Sequence, residues 1–145
     1  MILDHAWIAA HIPHQGSMCL LDGVDFWNET EIICRAISHQ TENNPLRAAG
    51  SLGITNGIEY AAQAMAVHGA LLADSSETPN AGFLTSVRDV QWRRMRLDDI
   101  AGDLTVRAER ISGNGNNILY SFGIHAEGAV LISGRASVMT DAENK

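Results

Sequence analysis

GITNGIEYAAQAMAVHG, residues 53–69, is the stretch that decides the fold. It is apolar on nearly all sides and contains one carboxylate, that of Glu59. With the residues that follow it, the stretch predicts one long helix over residues 54–73. A helix that is apolar on most sides has to be enclosed by other parts of the chain. The remaining sequence must therefore supply a cover for it.

Strand-like runs stand on both sides of this helix in the sequence. Ahead of it, two runs surround the turn signal Asn28-Glu29-Thr30 and predict a hairpin. After it, residues 104–109 alternate between apolar and polar, which is typical of a sheet with one buried face. Six strands are predicted in all: residues 18–27, 31–38, 83–92, 103–111, 118–125 and 129–139. Asp4 can also cap a short helix over residues 5–10.

These elements predict a single domain over residues 1–145. An antiparallel sheet with one face to water needs an apolar element on its other face, and the long helix is the available cover. We therefore expect the α+β hot-dog fold, in which an antiparallel sheet wraps around one long central helix. Such a sheet ends in edge strands that a second copy can pair with. At least a dimer is expected.

The charge balance restricts the partners of the chain. Its formal net charge is -7 over 145 residues, whereas nucleic-acid binding needs a basic stripe. One basic cluster exists, formed by Arg93, Arg94 and Arg96. It is either a solvated loop face or a contact for one phosphate or an acidic carrier protein. We expect no nucleic-acid partner.

The sequence also bears on location. No run of about 18 apolar residues appears, and the N-terminal residues 1–14 lack the basic start and cleavage pattern of a secretory signal. Cys19 and Cys34 stand far apart, which favours buried reduced thiols over a bridge or a metal cage. We predict a cytoplasmic protein with no membrane span, no metal and no cofactor.

The polar positions of the long helix gather on one side. At 100° per residue, Asn56, Glu59 and Gln63 fall within about 60° of one another, whereas His68 lies on the opposite side. A buried, unpaired carboxylate costs several kcal/mol, so Glu59 must be paired, protonated or open to a cleft. It is either the acid–base group of a site or an acid at a solvent edge that only favours the helix dipole.

Two glycines near the helix start suit a ligand close to the backbone. Gly53 and Gly57 could leave N–H groups open to a thioester oxygen that gains negative charge. We therefore expect Gly53, Asn56, Gly57 and Gln63 to bind substrate, beside Glu59.

At these residues the chain resembles the beta-hydroxyacyl carrier-protein dehydratases, a hot-dog family, and more closely the dehydratase-like proteins of aryl polyene clusters. IPHQGSMCLLDGV, residues 12–24, is similar to the opening motif of that family. Ile58-Glu59 and Ala62-Gln63 match its catalytic helix. The resemblance implies dehydration of a 3-hydroxyacyl thioester, carried by acyl carrier protein or coenzyme A.

One departure from the family pattern concerns the histidine. The family has a catalytic histidine between the hairpin and the helix, but here the corresponding residues 43–53, NNPLRAAGSLG, contain none. His14 and His39 are the candidates to work with Glu59, and a partner subunit could also supply the group. For either histidine, the alternative is a hydrogen-bonded structural imidazole.

Two other functions fit the same residues. A hot-dog thioesterase can use one helix carboxylate to activate water or attack the thioester without a histidine. A catalytically silent subunit would instead pair with an active dehydratase, as a homomeric or heteromeric hot-dog assembly. In that case Glu59 would be replaceable with little loss of turnover.

Overall fold

The computed structural model describes residues 2–14, 16–73, 82–114 and 116–140. Two α-helices and six strands occur within these ranges. The helices are α1 (His5–His11) and α2 (Gly57–Leu72), and the strands are β1 (Gly23–Trp27), β2 (Glu31–Ala36), β3 (Gly82–Trp92), β4 (Leu104–Asn114), β5 (Asn117–Ala126) and β6 (Ala129–Thr140). The connection predicted around residues 74–81 lies outside the described ranges, as does Gly115.

The six strands form one antiparallel sheet in the order β1-β2-β4-β5-β6-β3. Helix α2 packs on one face of it, against β2, β4 and β5. This confirms the predicted α+β hot-dog fold. Strands β1 and β3 are the two edges, and β3 runs for 11 residues. Within the described ranges, every helix falls short of the length and apolar character that a membrane crossing requires.

The first strand is shorter than predicted. It begins at Gly23, whereas the prediction began at residue 18. The reason is that Met18 and Leu20 bind the Gln63 side chain of α2 instead of a neighbouring strand. A strand uses its backbone N–H and C=O groups to pair with a neighbouring strand. Because such groups of the segment before Gly23 bind a side chain of α2, this segment packs on the helix instead of joining the sheet.

The predicted long helix begins as a 3-10 turn. Residues Ile54–Asn56 form this turn, and α2 proper starts at Gly57. A Cβ at Gly57 would lie 2.9 Å from Ile132 Cγ2 of the sheet, so glycine permits the close approach of helix and sheet. The buried face of α2 includes Tyr60, Ala64 and Val67.

The smaller predictions also correspond to observed features. Asp4 caps α1, because Trp7 N donates to its carboxylate over 3.0 Å. Cys19 and Cys34 are free and buried, as predicted. Burial raises the pKa of the Cys34 thiol to about 12, which makes it unreactive at neutral pH.

Candidate active site

His14 and Glu59 lie side by side. His14 follows α1 and Pro13, and Glu59 stands in the first turn of α2. His14 Nε2 is 3.1 Å from Glu59 Oε2, with side chains that are 25% and 34% exposed. Glu59 is therefore neither buried without a partner nor free in solvent. It is a partly covered carboxylate in contact with an imidazole.

Gln63 joins this pair to the opening motif. Its Nε2 donates to Met18 O over 2.8 Å and to Glu59 Oε2 over 3.2 Å. Its Oε1 accepts from Leu20 N over 2.9 Å. Gln63 is completely buried, and its side-chain amide is occupied by these three contacts. The structure thus gives Gln63 a place in the site as a link between helix and motif, whereas the sequence predicted substrate binding.

Two atoms of the pair have no partner in the described part of the chain. Glu59 Oε2 accepts a hydrogen bond from Gln63 Nε2 and lies 3.1 Å from His14 Nε2, whereas no described residue donates a hydrogen bond to Oε1. His14 Nδ1 is buried and also has no hydrogen-bond partner. The Glu59 side chain is also partly exposed.

His39 lies elsewhere. Its Nε2 is 3.1 Å from Ile100 O and 3.0 Å from Gly102 O, and the side chain is fully buried. Burial lowers the pKa of His39. The structure gives no contact between His39 and Glu59 within the described ranges. Of the two candidate histidines, the fold brings only His14 to the carboxylate.

His68 occupies the opposite side of α2, as its position on the helical wheel predicts. Its Nδ1 is 2.7 Å from Tyr120 Oη and its Nε2 is 2.8 Å from Asn28 O. Burial lowers the pKa of His68 and raises the pKa of Tyr120 to about 12. Both ring nitrogens are hydrogen-bonded within the protein, so the contacts of His68 are structural.

The N–H of Gly57, which was expected to be open to a ligand, is occupied, and so are two neighbouring N–H groups. Ile54 N donates to Met95 O over 3.0 Å, and Asn56 N donates to Gly53 O over 3.1 Å. The N–H of Gly57 donates to the carbonyls of Ile54 and Thr55. The expectation for Gly57 was wrong because residues Ile54–Asn56 form a 3-10 turn whose carbonyls accept its N–H. Residues 95–97 pair with the residues just before α2, as in the contact between Leu97 N and Leu52 O.

The structure also shows the surroundings of the other residues that the sequence predicted to bind substrate. Asn56 Nδ2 donates to Gly53 O over 3.1 Å, and both residues are half-buried beside the site. Gly57 is buried against the sheet. Gly57 therefore offers a ligand neither an open N–H nor an open face.

Comparison with protein families matches residues 6–145 to the ApeP-like family, described as ApeP dehydratase. The chain belongs to this family. The ApeP-like assignment confirms the predicted resemblance to the dehydratase-like proteins of aryl polyene clusters. Comparison with curated proteins found no match.

Solved structures support the ApeP-like fold. The dehydratase heterocomplex ApeI:P from Xenorhabdus doucetiae is similar, with 21% identity over 92% of this chain and 90% of that chain and a TM-score of 0.81. A mutant thioesterase from Pseudomonas aeruginosa has 13% identity, covers 94% of this chain and 93% of that chain, and has a TM-score of 0.67. A thioesterase from Haemophilus influenzae has 15% identity, covers 81% and 78%, and has a TM-score of 0.56. At these identities the likeness concerns the fold.

The ApeP-like site combines two groups of the kind that transfer protons. They are a carboxylate oxygen without a hydrogen-bond partner among the described residues and an imidazole in contact with its neighbouring oxygen. Within the described ranges, no group of three or more His, Cys, Asp and Glu side chains could hold a metal ion.

The sequence predicted Glu59, and offered His14 as one of two candidate histidines, but did not predict their contact. Glu59 and Gln63 are one helical turn apart, and this spacing predicts their neighbourhood. No local pattern links Glu59 to His14, which is 45 residues earlier, because the two meet only when the opening motif packs on α2.

Proposed function

We propose that this chain removes water from a 3-hydroxyacyl thioester and that Glu59 and His14 move the proton. The contact of 3.1 Å between His14 Nε2 and Glu59 Oε2, which leaves Oε1 open, carries the proposal. Membership of the ApeP dehydratase family supports the same reaction. His39 is assigned no part, because its ring binds the carbonyls of residues 100 and 102.

Proton balance fits a single carboxylate–imidazole pair. In the elimination, the C2–H and C3–O bonds break, a C2=C3 double bond forms, and the hydroxyl leaves with a proton as water. Glu59 Oε1 takes the C2 proton, and the pair then supplies one proton to the departing hydroxyl. The pair holds the same number of protons before and after, so no other acid or base is needed.

We propose that the thioester is carried by acyl carrier protein or coenzyme A and that a second hot-dog subunit covers the site. Support comes from the helix face around Glu59, where Thr55 and Gly69 are exposed and Ala62 and Ala66 are half-buried. The sheet of the same chain does not cover this face. A homodimer or a heteromer would cover it, and the similar ApeI:P structure is a heterocomplex. The free thiols of Cys19 and Cys34 suit the reducing cytoplasm, where we place the reaction.

A thioesterase is the second candidate. The open Oε1 of Glu59 supports it, since a carboxylate oxygen can activate water or attack a thioester carbon. Under this alternative His14 would hold Glu59 in place without handling the substrate. The third candidate, a silent subunit that stabilises an active dehydratase, predicts that Glu59 is dispensable.

One experiment separates the three candidates. The purified chain is incubated with a 3-hydroxyacyl carrier protein, alone and with a second hot-dog protein, and the products are identified by mass spectrometry. A loss of 18 mass units, the mass of one water, supports dehydration, and free acid supports the thioesterase. Activity that requires the second protein and persists in the Glu59→Gln variant supports the silent subunit.

A further inference from the structure

Five side chains form a row across the outer face of the sheet, opposite to the face that α2 covers. Strand register places Glu31 beside Glu109, Glu109 beside Ser121, Ser121 beside Arg135, and Arg135 beside Arg88. The row crosses β2, β4, β5, β6 and β3 in that order. It is acidic at one end and basic at the other.

The two ends differ in how their charges are compensated. At the acidic end, Arg107 Nε contacts Glu31 Oε2, and an Arg107 guanidinium nitrogen lies 3.4 Å from Glu109 Oε1. At the basic end, neither Arg88 nor Arg135 has an ion pair or side-chain hydrogen bond among the described residues. Glu109 is two strands from Arg135, or about 10 Å, which is beyond ion-pair distance. Among the described residues, the basic end therefore has no ion-pair partner.

Arg88 and Arg135 also line a cleft. Like charges directly opposite each other on neighbouring strands are unfavourable, yet this acidic chain of net charge -7 places two arginines there. The cleft has a volume of about 240 Å³, and Ser86 and Ser137, which are paired in register, add hydroxyl groups to its wall. Asp89 also lines it, outside ion-pair distance of either guanidinium.

We propose that the cleft between Arg88 and Arg135 binds a phosphate group. Guanidinium groups match the oxygens of phosphate in geometry and charge, and serine hydroxyls add donors. An anion between the arginines would remove the repulsion between them. The basic cluster that the sequence singled out is a weaker candidate, because Arg94 contacts Glu127 and Arg96 contacts Asp98. The phosphate is either free or part of an acyl carrier such as coenzyme A or phosphopantetheine.

Titration calorimetry with inorganic phosphate at low ionic strength tests the site. We expect saturable binding to the unmodified chain and a loss of about tenfold or more in affinity for Arg88→Gln and for Arg135→Gln. Arg107→Gln is the matched control, because Arg107 already contacts two carboxylates on the same face. It should bind phosphate like the unmodified chain.

Asp89 gives a test in the opposite direction. Its carboxylate lines the cleft and repels an anion, so Asp89→Asn should tighten phosphate binding several-fold. Asparagine tolerates the positive φ of 55° at this position, so the substitution should preserve the backbone. Circular dichroism spectra of the variants check that each one is folded.

A competition experiment identifies the source of the phosphate. If coenzyme A competes with phosphate and pantetheine without phosphate does not, the cleft binds the acyl carrier. If inorganic phosphate binds and coenzyme A does not compete, the cleft binds the free ion. Absence of saturable phosphate binding, or equal losses in Arg88→Gln and Arg107→Gln, overturns the proposal. None of these measurements needs turnover, so they stand or fall independently of the dehydratase proposal.

Discussion

One histidine lies on each of two opposite sides of helix α2. The two histidines differ in whether both of their ring nitrogens have partners. One ring nitrogen of His68 is hydrogen-bonded to Tyr120 and the other to Asn28, and the side chain is fully buried. His14 contacts Glu59 through Nε2, and its Nδ1 has no hydrogen-bond partner in the part of the chain that the structure describes. The first arrangement is closed to any further molecule, whereas the second is incomplete.

Under the proposed function, this difference separates a structural contact from a functional one. A buried polar group that is fully hydrogen-bonded stabilises one arrangement of the fold and has no capacity left for a substrate. The Glu59 site has such capacity, because no described residue donates a hydrogen bond to Oε1 and the side chain is partly exposed. On the proposed function, a helix that is apolar on most sides carries a working carboxylate at its uncovered face and a structural imidazole at its covered face.

The strongest test of this contrast is Glu59→Gln, which keeps the shape of the side chain and removes its acid–base function. Turnover should fall by about 100-fold or more, the usual value of a positioned acid or base. Thermal stability should change little, because the side chain is partly exposed. Dehydration of a 3-hydroxyacyl carrier protein, followed by mass spectrometry, measures the effect. Glu42→Gln, at an exposed position, is the control.

His68→Leu should produce the converse result. The change leaves Tyr120 Oη and Asn28 O without their partner in a buried place, so we expect a loss of about 2 kcal/mol in the free energy of unfolding. Turnover measured well below the unfolding temperature should stay near that of the unmodified chain. Urea denaturation gives the stability. A large loss of turnover in a folded His68→Leu protein would contradict the division between the two sides of α2.

The pair His14→Ala and His39→Ala sharpens the comparison between the two candidate histidines. His14→Ala removes the imidazole that contacts Glu59, and turnover should fall by about tenfold or more. His39→Ala removes a ring that binds the carbonyls of residues 100 and 102, and it should lower stability rather than turnover. Steady-state rates and melting temperatures are measured on both. A wild-type rate in His14→Ala would reject its role in proton transfer.

The sequence predicted the fold well because the fold depends on local periodicity. Alternation in residues 104–109 and the apolar stretch around residues 54–73 each identify an element without reference to distant residues. The strand predicted to begin at residue 18 begins instead at Gly23. Its start depends on a contact with the distant side chain of Gln63, which local sequence patterns do not show. Local patterns therefore predict elements better than their ends.

The site was less predictable, because its contacts join distant parts of the chain. The sequence offered His14 and His39 equally, and only the packing of the opening motif on α2 places His14 at Glu59. Similarly, the N–H of Gly57 was expected to be open, but it donates to the carbonyls of Ile54 and Thr55. Chemical character can be predicted from residue types, whereas the distribution of hydrogen bonds follows from the tertiary structure.

The buried histidines should also make stability depend on pH. Burial lowers the pKa of both His39 and His68 below the ordinary value of 6.5, so between the lowered pKa and 6.5 the unfolded chain binds more protons than the folded one. Stability should be constant above pH 6.5 and fall as the pH decreases below it, by at most about 1.4 kcal/mol per pH unit for each histidine.

Urea denaturation between pH 5 and 8 measures this slope, and His68→Leu should reduce it by the share of one histidine. Asp98 does not interfere in this range. Its contact with Arg96 holds the pKa of the carboxyl well below its ordinary value of 3.8, so its contribution to stability is complete above that pH and is lost only in stronger acid. A stability that stays constant from pH 8 to pH 5 would contradict neutral, buried imidazoles at both positions. It would remove the distinction between His68, which is closed within the fold, and His14, which contacts the open carboxylate of Glu59.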